Sequence, residues 1–205
     1  MKWLWGLWSW VSFSLACVFS LLVTLIVPGM HRRQKLVTFA ARMVFVLAGV
    51  RVTVLGMDHL PNDSCVVVAN HASYIDGILL NAYLPARFGF VIKGEMRDIP
   101  VVHFLLRRSG SKFVERNESA GSSRDARQLV KAAQEGESLG FFPEGTFVLQ
   151  PGVGRFRLGA FMAAVKGGMP IVPIAISGTR DMLPHGRLLP RPADLTIDIL
   201  PAIAP

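Results

Sequence analysis

The sequence predicts an α/β domain whose mixed, mostly parallel sheet is flanked by helices, preceded by an N-terminal anchor of two membrane-associated helices. Two observations support this prediction. From about residue 50 onward, short apolar runs alternate with longer segments of helical periodicity. The residues before that point are strongly apolar and contain all four tryptophans. We therefore divide the chain into an anchor at 1–49 and an α/β domain at 50–205.

Composition limits the kinds of protein that fit. The 205 residues suffice for one domain with a substantial core. The mean hydropathy of +0.42 is high for a soluble domain. The formal charge of +8 suits an anionic membrane with phosphorylated substrates, or nucleic acid. Zinc-finger spacing and RNA-binding aromatic patterns are absent from the sequence, so we expect no nucleic-acid partner. The two cysteines do not indicate a disulfide framework.

An uncharged segment at 3–27 begins the chain. As a helix it would reach roughly 37 Å, enough to cross a hydrocarbon core of about 30 Å. Tryptophans cluster at its start, as in an aromatic belt, and the basic run HRRQK follows at 31–35. The positive-inside rule then places the domain on the cytoplasmic side of the inner (cytoplasmic) membrane. A spanning helix and a shallow re-entrant helix both remain open.

The second apolar stretch, 36–50, is interrupted by Arg42. A central arginine costs about 2.5–3.5 kcal/mol in a membrane-spanning helix. We therefore expect this helix to lie in the interface or to return along the first one, with Arg42 reaching lipid head groups.

Periodicity and turn residues predict the elements of the domain. Strands are predicted at 51–55, 65–69, 87–92, 112–114, 139–142, 170–176 and 195–200. Helices are predicted at 74–84, 99–108, 119–136 and 156–166. The alternation of the two kinds of element is what predicts a largely parallel sheet.

Two stretches carry reactive side chains just after predicted strands. The first is NHASYID at 70–76, in which a histidine precedes a carboxylate by five positions. Such a pair could be a general base and its orienting partner. The alternative is a capping box, Ser73-x-x-Asp76, which would only start a helix at residue 74. The second stretch is FPEGT at 142–146, which offers a carboxylate, a glycine and a hydroxyl.

Polar side chains follow the ends of four predicted strands: His71, Lys93, Arg116 and Glu144. Ligands of such sheets bind at the carboxyl ends of the strands, so we expect these four groups to converge. One base, two cations and one carboxylate suit deprotonation of a hydroxyl on a molecule that also carries a phosphate. The other histidines lack metal-ligand spacing, and we expect neither a metal nor a cofactor.

Four motifs occur in order: NHASYID, then Arg116 after a strand, then FPEGT, then VPI at 172–174. Together they resemble the motifs of the glycerolipid acyltransferases, most of all the bacterial lysophosphatidate acyltransferases of the PlsC type. The resemblance covers roughly 50–180, and the two-helix N-terminus is similar to that of membrane-bound members.

The resemblance implies transfer of a fatty acyl chain from acyl-ACP or acyl-CoA to the free hydroxyl of lysophosphatidate, giving phosphatidate. The implied partners are thus membrane lipids, a lysophospholipid acceptor and a thioester donor. His71 would remove the hydroxyl proton, and Asp76 would hold the imidazole in the right tautomer. The hydroxyl would attack the thioester directly, so Ser73 would cap a helix rather than act as a nucleophile.

The resemblance also implies a set of substrate-binding residues. Arg116, Glu144 and Gly145 carry over from the family motifs, with Thr146 and Lys93 as weaker additions. Arg116 would pair with a phosphate, for which its fork geometry is suited. Glu144 would bind glycerol hydroxyls or fix the loop.

Phe147 departs from the family pattern, which usually has an arginine or serine directly after Glu-Gly-Thr. A basic group is thereby missing, and Arg155 or Arg157 could replace it. The acceptor is left open between lysophosphatidate, glycerol-3-phosphate, another lysophospholipid and a lyso-ornithine-type lipid. A non-catalytic lipid-binding scaffold is a further alternative, against which the intact His71/Asp76 pair argues.

Overall fold

The computed structural model describes residues 2–115, 120–146 and 152–205. Its α-helices are Lys2–Ile26 (α1), Met30–Leu47 (α2), Asp76–Tyr83 (α3), Pro100–Arg108 (α4), Ala120–Gln134 (α5), Gly159–Gly167 (α6) and Thr179–Met182 (α7). Its strands are Val52–Leu55 (β1), Val66–Ala69 (β2), Gly89–Lys93 (β3), Lys112–Val114 (β4), Leu139–Phe141 (β5), Ile171–Ser177 (β6) and Leu195–Ile199 (β7). Every predicted helix and strand is present, most of them with shifted ends, while the short α7 was not predicted.

The strands of the described residues form one seven-stranded sheet in the order β1-β7-β6-β2-β5-β3-β4. The five strands from β6 to β4 are mutually parallel. β7 runs antiparallel to β6 and parallel to β1. The prediction of a mixed, mostly parallel sheet is confirmed, and helices cover it as predicted.

β2 lies at the centre of the sheet and is buried along its whole length. Its alternate side chains enter two separate cores, because successive residues of a strand point to opposite faces. Val67 packs with Leu79 of α3 in one core, and Val66 packs with Leu129 of α5 in the other. Each fully buried side chain of this kind contributes about 1.5–3 kcal/mol. This burial fixes the position at which β2 ends, and the candidate site begins there.

α1 and α2 form a hairpin that lies along the domain. Among the described helices, only α1 is long and apolar enough to cross a membrane. Both halves of α1 are nevertheless bound to the domain. The indole N–H of Trp10 donates to the carbonyl of Leu188 at 2.8 Å, and the carbonyl of Thr24 accepts from Nε of Arg108 at 3.1 Å. Large apolar side chains on the outer face of α1 are exposed.

Arg42 is exposed and also contacts α3. Its Nε donates to the carbonyl of Ala82 at 3.1 Å, and its guanidinium lies 5.0 Å from the centroid of the Tyr83 ring. The last carbonyls of α3 have no partner within their own helix, and an aromatic face attracts a cation. Arg42 therefore ties α2 to α3. Since the residue is also exposed, its contact with lipid head groups stays a prediction.

Candidate active site

The turn after β2 closes on the carboxylate of Asp76. One oxygen, Oδ2, accepts the backbone N–H groups of Ala72 and Ser73 at 2.7 and 2.8 Å. Nδ1 of His71 lies 2.9 Å from the same oxygen. The Asp76 side chain has no exposed surface. A buried carboxylate is tolerated where donors compensate its charge, and three converge on this oxygen.

The contact with Asp76 fixes the tautomer of His71. An ionised carboxylate only accepts hydrogen bonds, so the proton of this contact belongs to Nδ1 and the basic lone pair to Nε2. The ring also stacks on Phe142, with centroids 4.3 Å apart and planes at 22°. The His71 side chain keeps 19% of its surface exposed. The imidazole is thus oriented from two sides and still reachable.

Ser73 is not the N-cap residue of α3, a position that Ile75 holds. Its hydroxyl donates to the carbonyl of Leu183 at 2.6 Å, and the capping position, Ile75, makes no side-chain hydrogen bond. The helix begins at Asp76 rather than at residue 74. The predicted capping box is therefore only partly formed. The N–H of Ser73 donates to Oδ2 of Asp76 at 2.8 Å, and the Ser73 hydroxyl accepts the N–H of Ile75 at 3.4 Å.

Glu144 ties the two reactive stretches together. Its Oε1 accepts the backbone N–H of His71 at 2.8 Å. Its Oε2 accepts the backbone N–H of Gly154 at 2.7 Å. Both oxygens thus bind main chain, and this geometry favours the second of the two predicted roles, fixing the loop, over binding glycerol hydroxyls.

The segment after Glu144 makes a tight turn. Gly145 has a φ of +76° and donates its N–H to the carbonyl of Phe142 at 2.9 Å. Glycine adopts that conformation without a steric cost. The neighbouring Thr146 is exposed. The N–H of Arg157 donates to the carbonyl of Pro143 at 2.8 Å, which brings the exposed Arg157 back beside the turn.

Of the two cations predicted after other strands, the structure describes Lys93 but not Arg116. Lys93 ends β3, and its Nζ lies 2.6 Å from Oε1 of Glu95. Both side chains of this ion pair are about half exposed, so the pair contributes little to stability. Arg116 lies outside the described residues, as does Phe147.

An apolar groove of about 390 Å³ opens beside His71. Its walls come from α1, α2, α3, α4 and β3. Lys93 lines the groove at the end of β3, whereas Ser109 and Ser111 line it before the start of β4. Because β3 and β4 are parallel, the groove runs from the carboxyl edge of the sheet, where His71 lies, toward its amino edge.

A smaller recess of about 290 Å³ also borders His71. Its other walls include Asn70, Ser177 and Arg180. Asn70 joins this side to β6, because its side-chain amide exchanges two hydrogen bonds, at 3.0 and 2.7 Å, with the backbone of Ile176. Sequence reasoning missed Arg180, although Ser-Gly-Thr-Arg follows the end of β6 much as Lys93 ends β3.

The remaining reactive groups suit packing. Cys65 is fully buried, and burial raises the pKa of its thiol, so this cysteine is a neutral core residue rather than a nucleophile. Burial also raises the pKa of Tyr83, an effect that the charge of Arg42 partly offsets. Within the described ranges, no cluster of three or more histidine, cysteine or acidic side chains could hold a metal ion.

Comparison with known proteins identifies chains that are related to this one. Residues 51–177 match the Acyltransferase family. A 1-acyl-sn-glycerol-3-phosphate acyltransferase of Chlamydomonas reinhardtii is 32% identical, over 76% of this chain and 47% of its own. A lyso-ornithine lipid O-acyltransferase of Pseudomonas aeruginosa is 33% identical, over 62% of this chain and 48% of its own. The chain spans about half the length of the curated relatives it matches.

Among solved structures, the chain is similar to the crystal structure of the 1-acyl-sn-glycerophosphate acyltransferase PlsC from Thermotoga maritima. The TM-score is 0.80 at 26% sequence identity. The match covers 98% of this chain and 84% of that one, so the hairpin and the domain are both included.

Proposed function

Because the chain belongs to the acyltransferase family, as its ordered motifs predicted, we propose that it transfers a fatty acyl chain from a thioester to the free hydroxyl of a lysophospholipid. Lysophosphatidate is the preferred acceptor, since several relatives are named for that reaction. The observation that carries the proposal is that the His71/Asp76 pair borders an apolar groove.

In the proposed reaction His71 is the general base. Its Nε2 takes the proton of the acceptor hydroxyl while that oxygen attacks the thioester carbonyl carbon. The C–S bond then breaks, and the imidazolium returns its proton to the leaving thiolate. Asp76 stabilises the imidazolium in between. No acyl-enzyme is required, in keeping with a Ser73 hydroxyl that donates to the Leu183 carbonyl.

The acyl chain would occupy the apolar groove. Removing each methylene from water contributes about 0.8 kcal/mol, so apolar walls alone can hold a long chain. The thioester would then lie at the His71 end, and the chain would extend toward Ser109. Acyl-ACP and acyl-CoA both remain candidate donors, because the groove receives only the chain they share.

The head group of the acceptor would bind on the carboxyl edge of the sheet. We propose that Lys93, Arg116 and Arg157 bind its charge, with Gly145 and Thr146 in contact. Arg180 is a further candidate, because it lines the polar recess beside His71. A lyso-ornithine-type lipid is the second candidate acceptor, since a relative of 33% identity bears that name and Phe147 removes a basic group.

We further propose that residues 1–49 anchor the protein on one leaflet while 50–205 forms the catalytic domain. A helix held to the domain near both ends, through Trp10 and Thr24, fits the re-entrant alternative better than a full span. The exposed outer face of α1 would face lipid. By the positive-inside rule, the domain lies on the cytoplasmic side of the inner membrane.

The test is an acyl-transfer assay on the purified full chain in detergent. Labelled acyl-CoA and acyl-ACP are offered with lysophosphatidate, a lyso-ornithine lipid, lysophosphatidylcholine and glycerol-3-phosphate. We expect fastest acylation of lysophosphatidate and a rate lower by about 10²–10⁴-fold in His71→Ala. His103→Ala is the control histidine. A folded protein that acylates none of these acceptors would instead be a scaffold, and an undiminished rate in His71→Ala would refute the mechanism.

A further inference from the structure

Arg33, in the first turns of α2, is a largely buried cation without a side-chain partner among the described residues. Only 8% of its surface is exposed. Its Nε is shielded from solvent, and no hydrogen bond or ion pair links the side chain to another described residue. A guanidinium with only this small exposed surface has lost most of its hydration, which is unfavourable where no protein group replaces it. A group of opposite charge from outside the chain would remove that cost.

A second arginine makes the need for an anion greater. Burial lowers the pKa of Arg33, and the positive charge of Arg108, at the end of α4, lowers it further. Nε of Arg108 donates to the carbonyl of Thr24 at the end of α1. That carbonyl is a partial negative charge and does not neutralise two guanidinium groups.

The hairpin itself supplies no carboxylate. In the sequence no aspartate or glutamate occurs before Asp58, although Arg32, Arg33 and Lys35 are clustered at the start of α2. In the part of the chain that the structure describes, no ion pair includes Arg33 or Arg108. Among the described residues, the two arginines therefore have no acidic partner, and the ring of Phe104, 5.9 Å from the Arg108 guanidinium, is a neutral neighbour.

The arginine pair lies beyond the end of the groove that is remote from His71. Ser20 and Val37 line the groove, and Thr24 and Arg33 lie one helical turn beyond them. Exposed apolar side chains adjoin this region: Ile26, the last residue of α1, has 75% of its surface exposed. Positive charge next to an exposed apolar surface matches the boundary between a lipid head group and its chains.

We propose that Arg33 and Arg108 bind the phosphate of an anionic phospholipid of the membrane, at a site separate from the acyl-transfer centre. Guanidinium forks match phosphate oxygens in geometry. The first N–H groups of α2 have no partners within the helix and add donors beside Arg33. The apolar end of α1 would contact the lipid chains. Free phosphate has the same head chemistry and is the other source to be tested.

Vesicle flotation of the full chain tests the site. We expect phosphatidylcholine vesicles containing phosphatidylglycerol to bind the protein more tightly than phosphatidylcholine alone. Arg33→Met should reduce the phosphatidylglycerol-dependent part of the affinity by about fivefold or more. Arg32→Gln is the matched control, since it removes the same charge from an exposed neighbour. Equal losses in the two variants would mean general surface attraction and would overturn the proposal.

Thermal unfolding in an uncharged detergent distinguishes the two sources. A ligand that binds the folded state raises the melting temperature by mass action. Short-chain phosphatidylglycerol should raise it in the wild type and in Arg32→Gln, and not in Arg33→Met or Arg108→Gln. An equal rise with inorganic phosphate would assign the site to free phosphate, and no rise with either would refute it. Arg108→Gln decides the matter if Arg33→Met does not fold, and neither measurement depends on acyl transfer.

Discussion

Asp76 and Arg33 are buried charges associated with opposite ends of the same groove, and their surroundings differ. Oδ2 of Asp76 receives two backbone N–H groups and Nδ1 of His71, all within 2.9 Å. The Arg33 guanidinium has no partner among the described residues and has Arg108 as a neighbour.

The difference separates two uses of a buried charge. A carboxylate whose donors come from its own turn is part of the folded framework, and it can orient an imidazole only because that framework is rigid. Arg33 lies in a helix hairpin without acidic residues, so its charge stays unbalanced until an anion binds. Removing the first should cost activity and stability, whereas removing the second should cost only binding.

Asp76→Asn is expected to have the largest effect, because it removes the negative charge that balances a protonated His71. The amide cannot stabilise an imidazolium, so the acyl-transfer rate should fall by roughly 10²–10⁴-fold. Imperfect replacement of three hydrogen bonds should also lower the free energy of unfolding by about 1–3 kcal/mol. Initial rates and thermal melting check the two effects. A rate within twofold of wild type would show that Asp76 does not support the His71 imidazole during acyl transfer.

Filling the groove between its two ends should change donor selectivity. Cys17 lines the groove from α1, so Cys17→Trp should exclude about two methylenes of a long acyl chain. The preference for long over short donors should then fall roughly tenfold. Competition between labelled donors of two lengths measures it. Val18→Trp, on an exposed position of the same helix, should leave the preference unchanged, and equal shifts in both variants would contradict the assignment of the groove.

Substitutions of Glu144 test whether this side chain holds the backbone of the site or binds the substrate. Glu144→Ala removes the acceptors of two backbone N–H groups and should lower kcat about tenfold with a smaller change in KM. Glu144→Gln keeps one carbonyl oxygen for the His71 N–H and should recover much of the loss. Steady-state kinetics with varied acceptor separate the roles: a rise confined to KM for the acceptor would show that Glu144 binds substrate instead.

Arg33→Met should have the smallest effect, and in the opposite direction to Asp76→Asn. Replacing a buried, unpaired cation by an apolar side chain should leave the free energy of unfolding unchanged or raise it by about 1–2 kcal/mol in neutral detergent. Chemical denaturation with Arg32→Gln alongside measures this. A fall of more than about 3 kcal/mol would show that Arg33 has a stabilising partner within the chain, and the contrast with Asp76 would be lost.

The sequence was informative where a signal is local. Strand runs such as 65–69 and the Pro100 helix are set by periodicity and turn residues within a few positions, and the structure confirms them. The five-residue spacing of His71 and Asp76 is local too, and the two side chains do meet. Their catalytic roles, and the substrate-binding roles of the other predicted residues, stay predictions.

Sequence reasoning failed where a partner is distant in the chain. Ser73 bonds to Leu183, which is 110 positions away, and Arg42 bonds to Ala82, which is 40 positions away. The local patterns at Ser73 and Arg42 gave no signal for these distant partners. The groove also depends on four helices and a strand meeting in space. Arg180 was missed for a different reason, since its position after β6 is a signal that could have been used.

The most direct test of the central claim is a double-mutant cycle on His71 and Asp76. Initial rates of acyl transfer are measured for wild type, His71→Ala, Asp76→Asn and the double variant under one set of conditions. If Asp76 acts through the imidazole, the double variant should be no more than about twofold slower than His71→Ala, because residues acting as a unit are not additive. Losses that multiply, so that the double variant is slower by the product of both factors, would contradict a base and orienter acting together.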